Sequence, residues 1–170
     1  VQWMLKENFA RAESLARWVV ETQGAAVSLE DGVLRVRNTP EWTTDGGTSI
    51  WLRPELPQDF VARIRCSTVA PTELNANNLN FFTNARESDG PLQFGRPGNY
   101  PDYHKIPNYT FTFVGDFPAN AIAGWSRIRK NPGFHEIAGN MEVRAEPLRD
   151  YEILLSVIDG RLRMQVDGVT

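Results

Sequence analysis

The chain is 170 residues long, 41% hydrophobic and 23% charged, with 18 Lys+Arg against 21 Asp+Glu for a net charge of −3. These values fit one globular domain over 1–170, and the acidic balance argues against a nucleic-acid partner, which calls for a basic surface. No apolar run approaches the ~18 residues of a membrane-spanning helix, and a lone cysteine, Cys66, excludes an intrachain disulfide and a thiolate zinc site.

In chain order, helical periodicity is confined to residues 10–19. Strands are predicted over 33–37, with Arg35 and Arg37 on one face, and over 49–53, after Gly46-Gly47. The next, 60–66, puts Phe60, Ala62, Ile64 and Cys66 on one side and Arg63 and Arg65 on the other. Residues 79–84 set Asn80, Phe82 and Asn84 on one face. Residues 85–108 read as one long loop rich in Gly, Pro and Asn, and loops of that length are usually functional or mobile. Tyr109, Phe111 and Phe113 then share one side of a strand over 109–114. Strands over 125–130 and 151–158 follow, and Asp159-Gly160 turns the chain into 161–166. The 11 prolines break up longer helices. Short strands separated by turn signals predict an all-β fold, an antiparallel β-sandwich or jelly roll. Asp167-Gly168 reads as a turn into a further strand, so the domain is expected to lack its last strands. No basic segment followed by an apolar one opens the chain, so no signal peptide is visible; whether one was removed stays open.

The rare chemistry-bearing residues concentrate between 100 and 135. Both histidines, His104 and His135, fall there, with Tyr100, Tyr103, Tyr109, Lys105 and Lys130. Two segments carry most of them, Gly98–His104 and Arg127–His135. His and Tyr can move protons, while Arg and Lys hold carboxylates or developing oxyanions, a set suited to an anionic substrate. His104, His135, Tyr103 and Tyr100 are the candidate acid–base groups, and Arg127, Arg129, Lys130, Asn80 and Trp125 the candidate substrate contacts. Each has a plainer reading. His104 would merely cap its loop, and His135 would form a surface ion pair with Glu136. Arg127 and Arg129, opposite Ile128 on a strand, would be solvated, as Arg35/Arg37 and Arg63/Arg65 are expected to be. Trp42, Trp51 and Trp125 would stack on sugar rings or fill a core. Asn108-Tyr-Thr110 matches a glycosylation sequon, a pattern with many false positives. Asp102, Asp116 and Glu136 are candidate acids or bases, but nothing in their spacing pairs them. No Glu-x-Asp-x-Glu strand, nucleophile elbow, phosphate-binding loop, dinucleotide fingerprint or His-Glu-x-x-His occurs.

Asn99-Tyr-Pro-Asp-Tyr-His104 and Arg129-Lys-Asn-Pro-Gly-Phe-His135 resemble the matching stretches of the YesU family of bacterial proteins. The order of features agrees: an opening over 8–18, the 31–35 strand, Ile50-Trp51, the 60–67 strand and the Phe-Phe strand over 79–83. The resemblance covers nearly the whole chain. It implies a concanavalin A-like lectin/glucanase jelly roll and a setting in pectin or rhamnogalacturonan breakdown. The chain departs in a shorter loop before Tyr100 and in the absence of about two strands after Gly168. A bacterial cytoplasm or periplasm is expected, since an unstapled single-cysteine domain fits either.

Three functions follow. The first is a lyase acting on an acidic or plant-derived oligosaccharide or polysaccharide by β-elimination, with Tyr/His as acid and base and Arg neutralising the uronate carboxylate. The second is a non-catalytic, lectin-like carbohydrate-binding protein. The third, a glycoside hydrolase, ranks below the lyase for want of a carboxylate pair. No cofactor is expected; a structural calcium is compatible with the implied fold, though no Asp-rich loop announces one. No membrane partner is expected, and oligomeric state is not legible.

Overall fold

Alternating apolar and polar residues, punctuated by Asp-Gly turns, form eleven strands and two short 3-10 helices among the described residues. The computed structural model describes residues 3–23, 26–37, 47–68, 78–117 and 121–170. These group into two compact units, one holding the described residues up to Glu55 with Leu92–Tyr103, the other Leu56–Pro91 with His104–Thr170. No described helix is long and apolar enough to cross a membrane.

In the first unit a 3-10 helix, Ala12–Arg17, leads into β1 (Trp18–Thr22), which pairs antiparallel with β4 (Thr48–Leu52). β2 (Ala26–Glu30) and β3 (Val33–Arg37) form a hairpin. Its turn is Asp31-Gly32, both at positive φ (52° and 74°), as the right-handed strand twist requires of a two-residue loop. Arg35 and Arg37 are partnered by Glu30 at 3.1 and 2.9 Å. The helical periodicity predicted over 10–19 yields only the 3-10 helix, because Trp18 and Val19 are drawn into pairing with Leu52 and Trp51.

The segment 92–103 is seated on one buried carboxylate. Glu21, 4% exposed, accepts from the backbone N–H groups of Gly95 (2.6 Å) and Arg96 (2.8 Å), the Trp51 indole (2.8 Å) and the Tyr103 hydroxyl (2.5 Å). Four donors on one carboxylate replace the water it loses on burial.

The second unit is the predicted sandwich. A sheet ordered β11-β10-β5 (Arg161–Val166, Asp150–Ile158, Phe60–Ser67) faces a sheet ordered β6-β7-β8-β9 (Leu79–Thr83, Asn108–Val114, Trp125–Asn131, His135–Asn140). Phe111, Phe113 and Ile128 from one sheet pack with Tyr151, Ile153, Leu155, Met164 and Val166 from the other. The Phe113 and Tyr151 rings meet edge-to-face at 4.9 Å, a favoured aromatic geometry. Burying each such side chain is worth about 1.5–3 kcal/mol. Asp159-Gly160 closes the β10–β11 hairpin as expected, again with both residues at positive φ. Arg63 and Arg65, on the far side of β5, lie 3.8 and 3.5 Å from Glu152.

Three strands were not predicted. β1 was masked by the helical pattern, and β2 is a short AVSLE run with a mild alternation. β9, HEIAGN, is exposed almost throughout and carries no apolar face to announce it. Only its pairing with β8 makes it a strand.

Candidate functional site

Cross-strand partners in a sheet share a face. The face of the four-stranded sheet turned away from Phe111 and Ile128 therefore carries Asn80 and Phe82 from β6, Asn108, Thr110 and Thr112 from β7, Arg127, Arg129 and Asn131 from β8, and Glu136 from β9. It is polar, yet much of it is buried: Thr110, Thr112, Asn108, Asn131 and Arg129 are at most 7% exposed. Hydrogen bonds knit it together. The Asn131 amide donates to Asn108 Oδ1 (3.0 Å) and Thr110 Oγ1 (3.1 Å), and the Thr110 hydroxyl donates to Asn108 Oδ1 (3.0 Å). The Thr112 hydroxyl donates to Asn80 Oδ1 at 2.9 Å.

Arg127 and Arg129 share this face, as a period of two demands, but their surroundings differ. Arg127 is paired with Glu136 at 3.3 Å and lies over the Trp125 ring at 4.4 Å. Arg129 has no carboxylate within ion-pair distance among the described residues; its Nη1 donates weakly to Thr112 Oγ1 at 3.5 Å. Its guanidinium carbon lies 4.1 Å from the Phe134 ring centre, a cation–π contact. Phe134 reaches that position from the turn after β8. Its backbone takes a left-handed φ of 56°, unusual for a side chain of this size, and its N–H donates to Asn131 Oδ1 at 3.2 Å. The His104 ring packs on the same phenyl ring at 4.3 Å.

Burial, and secondarily the charge of Arg129, hold the His104 imidazole below its usual value of 6.5. Because the folded value lies below the unfolded one, the unfolded chain takes up the proton first as pH falls. This contribution to stability is complete above pH 6.5 and declines on acidification below it. A His104→Gln variant is expected to lose part of the acid-side dependence of the melting temperature. Identical profiles for variant and wild type would refute the assignment.

The remaining predicted residues divide. Tyr103 is wholly buried, and its hydroxyl is committed to Glu21. Burial and that hydrogen bond push it up to about 12, which removes it from the expected acid–base set. Tyr100, half-buried, opens the 3-10 helix Tyr100–Lys105 and sits in the first unit with Tyr103. His135 pairs with Lys130, and both side chains lie on the Ile128 side of the sheet. The register shifts between Ile128 and Arg129, so Ala138 stands opposite Ile128 while Glu136, two positions before it, stands opposite Arg129; the His135 ring lies against Gly133. Lys130 is exposed there, away from the arginine pair. Trp125, half-buried, stacks on Phe117 at 5.4 Å. Trp51 is buried beside Tyr103 at 5.2 Å. Trp42 lies outside the described residues. Asp116 receives the Gly124 N–H and neighbours Arg144, while Glu136 pairs with Arg127; the Asp102 backbone N–H donates to Asn99 O. Asn108 of the sequon is buried, its amide donating to Ile106 O at 2.9 Å. Among the described residues no three His, Cys, Asp or Glu side chains gather as a metal site. Phe134 and Thr112 were missed as site residues; only the pairing that brings β7, β8 and the following turn together marks them.

Solved structures that resemble the chain over nearly its whole length include two of one domain. They are the Emp46p carbohydrate recognition domain in a potassium-bound form (15% identity, TM-score 0.62, 96% of this chain and 76% of that one) and in a metal-free form (18%, 0.62, 97% and 77%). The fold is the concanavalin A-like lectin sandwich. At these identities the likeness is one of architecture alone. No protein-family model and no curated protein matches the sequence.

Proposed function

We propose that the chain is a carbohydrate-binding domain of the lectin type, related to the YesU-like proteins its two histidine motifs resemble, and that it takes an acidic or plant-derived oligosaccharide on the polar face of the β6–β9 sheet. The observation that carries this reading is the accessible part of that face: the half-buried Asn80 and Arg127 and the guanidinium of Arg129, held on rigid strands and bordered by the partly exposed ring of Phe134. Sugars are held by such planar hydrogen-bonding groups beside an aromatic surface. The fold it shares with domains named for carbohydrate recognition adds support. Binding is preferred to β-elimination because Tyr103, hydrogen-bonded to Glu21, keeps its proton up to about 12, and His135 stands opposite Lys130 in register and not opposite Arg129.

Screening the purified chain on an array of plant-derived glycans, followed by calorimetry, tests this. Saturable binding of at least one acidic oligosaccharide is expected, with no rise in the absorbance of unsaturated uronates on prolonged incubation. Failure to bind any glycan would refute the proposal, and a rise in absorbance would restore the lyase.

A further inference from the structure

The geometry points to Arg129 as a subsite for one carboxylate of the sugar ligand, so that the face selects uronate-bearing chains over neutral ones. This deepens, and rests on, the carbohydrate-binding reading above.

Among the described residues Arg129 is the most deeply buried arginine, at 7% exposure. More exposed arginines have carboxylates: Arg35 and Arg37 share Glu30, Arg149 has Glu146 and Asp167, and Arg127 has Glu136. Arg129 has none among the described residues, although an unpaired charge costs most where water is scarce. Glu136 stands directly across from it in register, yet turns to Arg127. Among the described residues the one oxygen offered to the Arg129 side chain, Thr112 Oγ1, is at the outer limit of a hydrogen bond. Thr112 spends its own proton on Asn80, so that oxygen can only accept.

Five N–H groups on a planar fork therefore face a single weak acceptor. Phe134 covers one face of the guanidinium and leaves its in-plane edge as the place where an acceptor can add. Its unbonded nitrogens are not among the side-chain atoms sealed from solvent without a partner. A carboxylate is planar and accepts two parallel N–H bonds from such an edge. The sequence reading has both arginines clamping the substrate; the structure separates them, one neutralised by Glu136 and one left to an outside anion.

The test compares an oligogalacturonate, its fully methyl-esterified form and a sulfated oligosaccharide of equal length by calorimetry at fixed salt. The acid is expected to bind roughly ten- to a hundredfold more tightly than the ester, the worth of a charged hydrogen-bonded pair. Arg129→Met should level the two, while Arg65→Met, an exposed arginine on the opposite sheet, should leave the preference intact. Equal binding of acid and ester by the wild-type chain would overturn the subsite and spare the lectin reading. It needs no variant, so it decides even if Arg129→Met does not fold. Preference surviving in Arg129→Met would assign the selectivity elsewhere. Tighter binding of the sulfated chain would overturn the carboxylate. Binding of none of the three, together with a blank array, would remove the carbohydrate reading itself.

Discussion

Glu21→Ala is expected to lower the melting temperature by roughly 10 °C, reading about 2–4 °C for each kcal/mol in a chain of this size. The substitution strands the Tyr103 hydroxyl, the Trp51 indole N–H and the Gly95 and Arg96 N–H groups. A buried donor left without an acceptor costs about 1–3 kcal/mol, and partial water entry brings the sum to ~4 kcal/mol. Tyr103→Phe, which removes one donor and leaves the carboxylate three, should cost only about 1 kcal/mol. Proteolysis should open first within 92–103, the segment that Glu21 seats. A Glu21→Ala melting curve within a degree or two of wild type would show that this carboxylate does not hold the segment. The same contact has an alkaline signature. The Tyr103 hydroxyl is raised from 10.0 to about 12, so the unfolded chain loses its proton first as pH rises. Stability present below pH 10 should be lost between pH 10 and about 12, and Tyr103→Phe should remove that loss.

Gly98→Ala should cost roughly 2–5 kcal/mol through backbone alone, a left-handed φ and an overpacked contact together. Gly98 has φ +88°, and a Cβ there would run into the carbonyl group of Glu21 on β1. The neighbour is backbone held in the β1–β4 ladder, so it cannot swing aside as a side chain would. Gly98 O also accepts from Ser49 at 3.2 Å, which ties the segment to β4. Gly90→Ala is the matched control. A Cβ at Gly90 meets nothing within 4 Å, and the change should stay within about 1 kcal/mol, of either sign. Equal denaturation midpoints for the two variants would mean that the close approach at Gly98 relaxes at little cost.

The two substitutions act on the first unit, whereas the anion-binding test acts on the second. Loss of stability and loss of acid preference are therefore separable readouts.

What the chain alone determined is everything that a period of two can encode. The runs 33–37 and 161–166 emerge with the expected bounds, and 60–66, 109–114 and 151–158 within a residue or so; all but 33–37, which is held by its hairpin, have an apolar face that is at least partly buried. Asp159-Gly160 announces its hairpin because few other pairs tolerate two successive positive φ angles. The common face of Arg127 and Arg129 follows from spacing in the same way. Tertiary structure decided what stands across from each residue. Glu21 and Tyr103 are 82 positions apart, and no local pattern marks either as the other's partner. Nor does spacing tell that Glu136 neutralises Arg127 and leaves Arg129 to Phe134 and His104. Alternation says which side of a strand avoids water. It carries no information on which polar group will meet which, since that depends on strand order, register and the irregularity between Ile128 and Arg129, all set by long-range pairing.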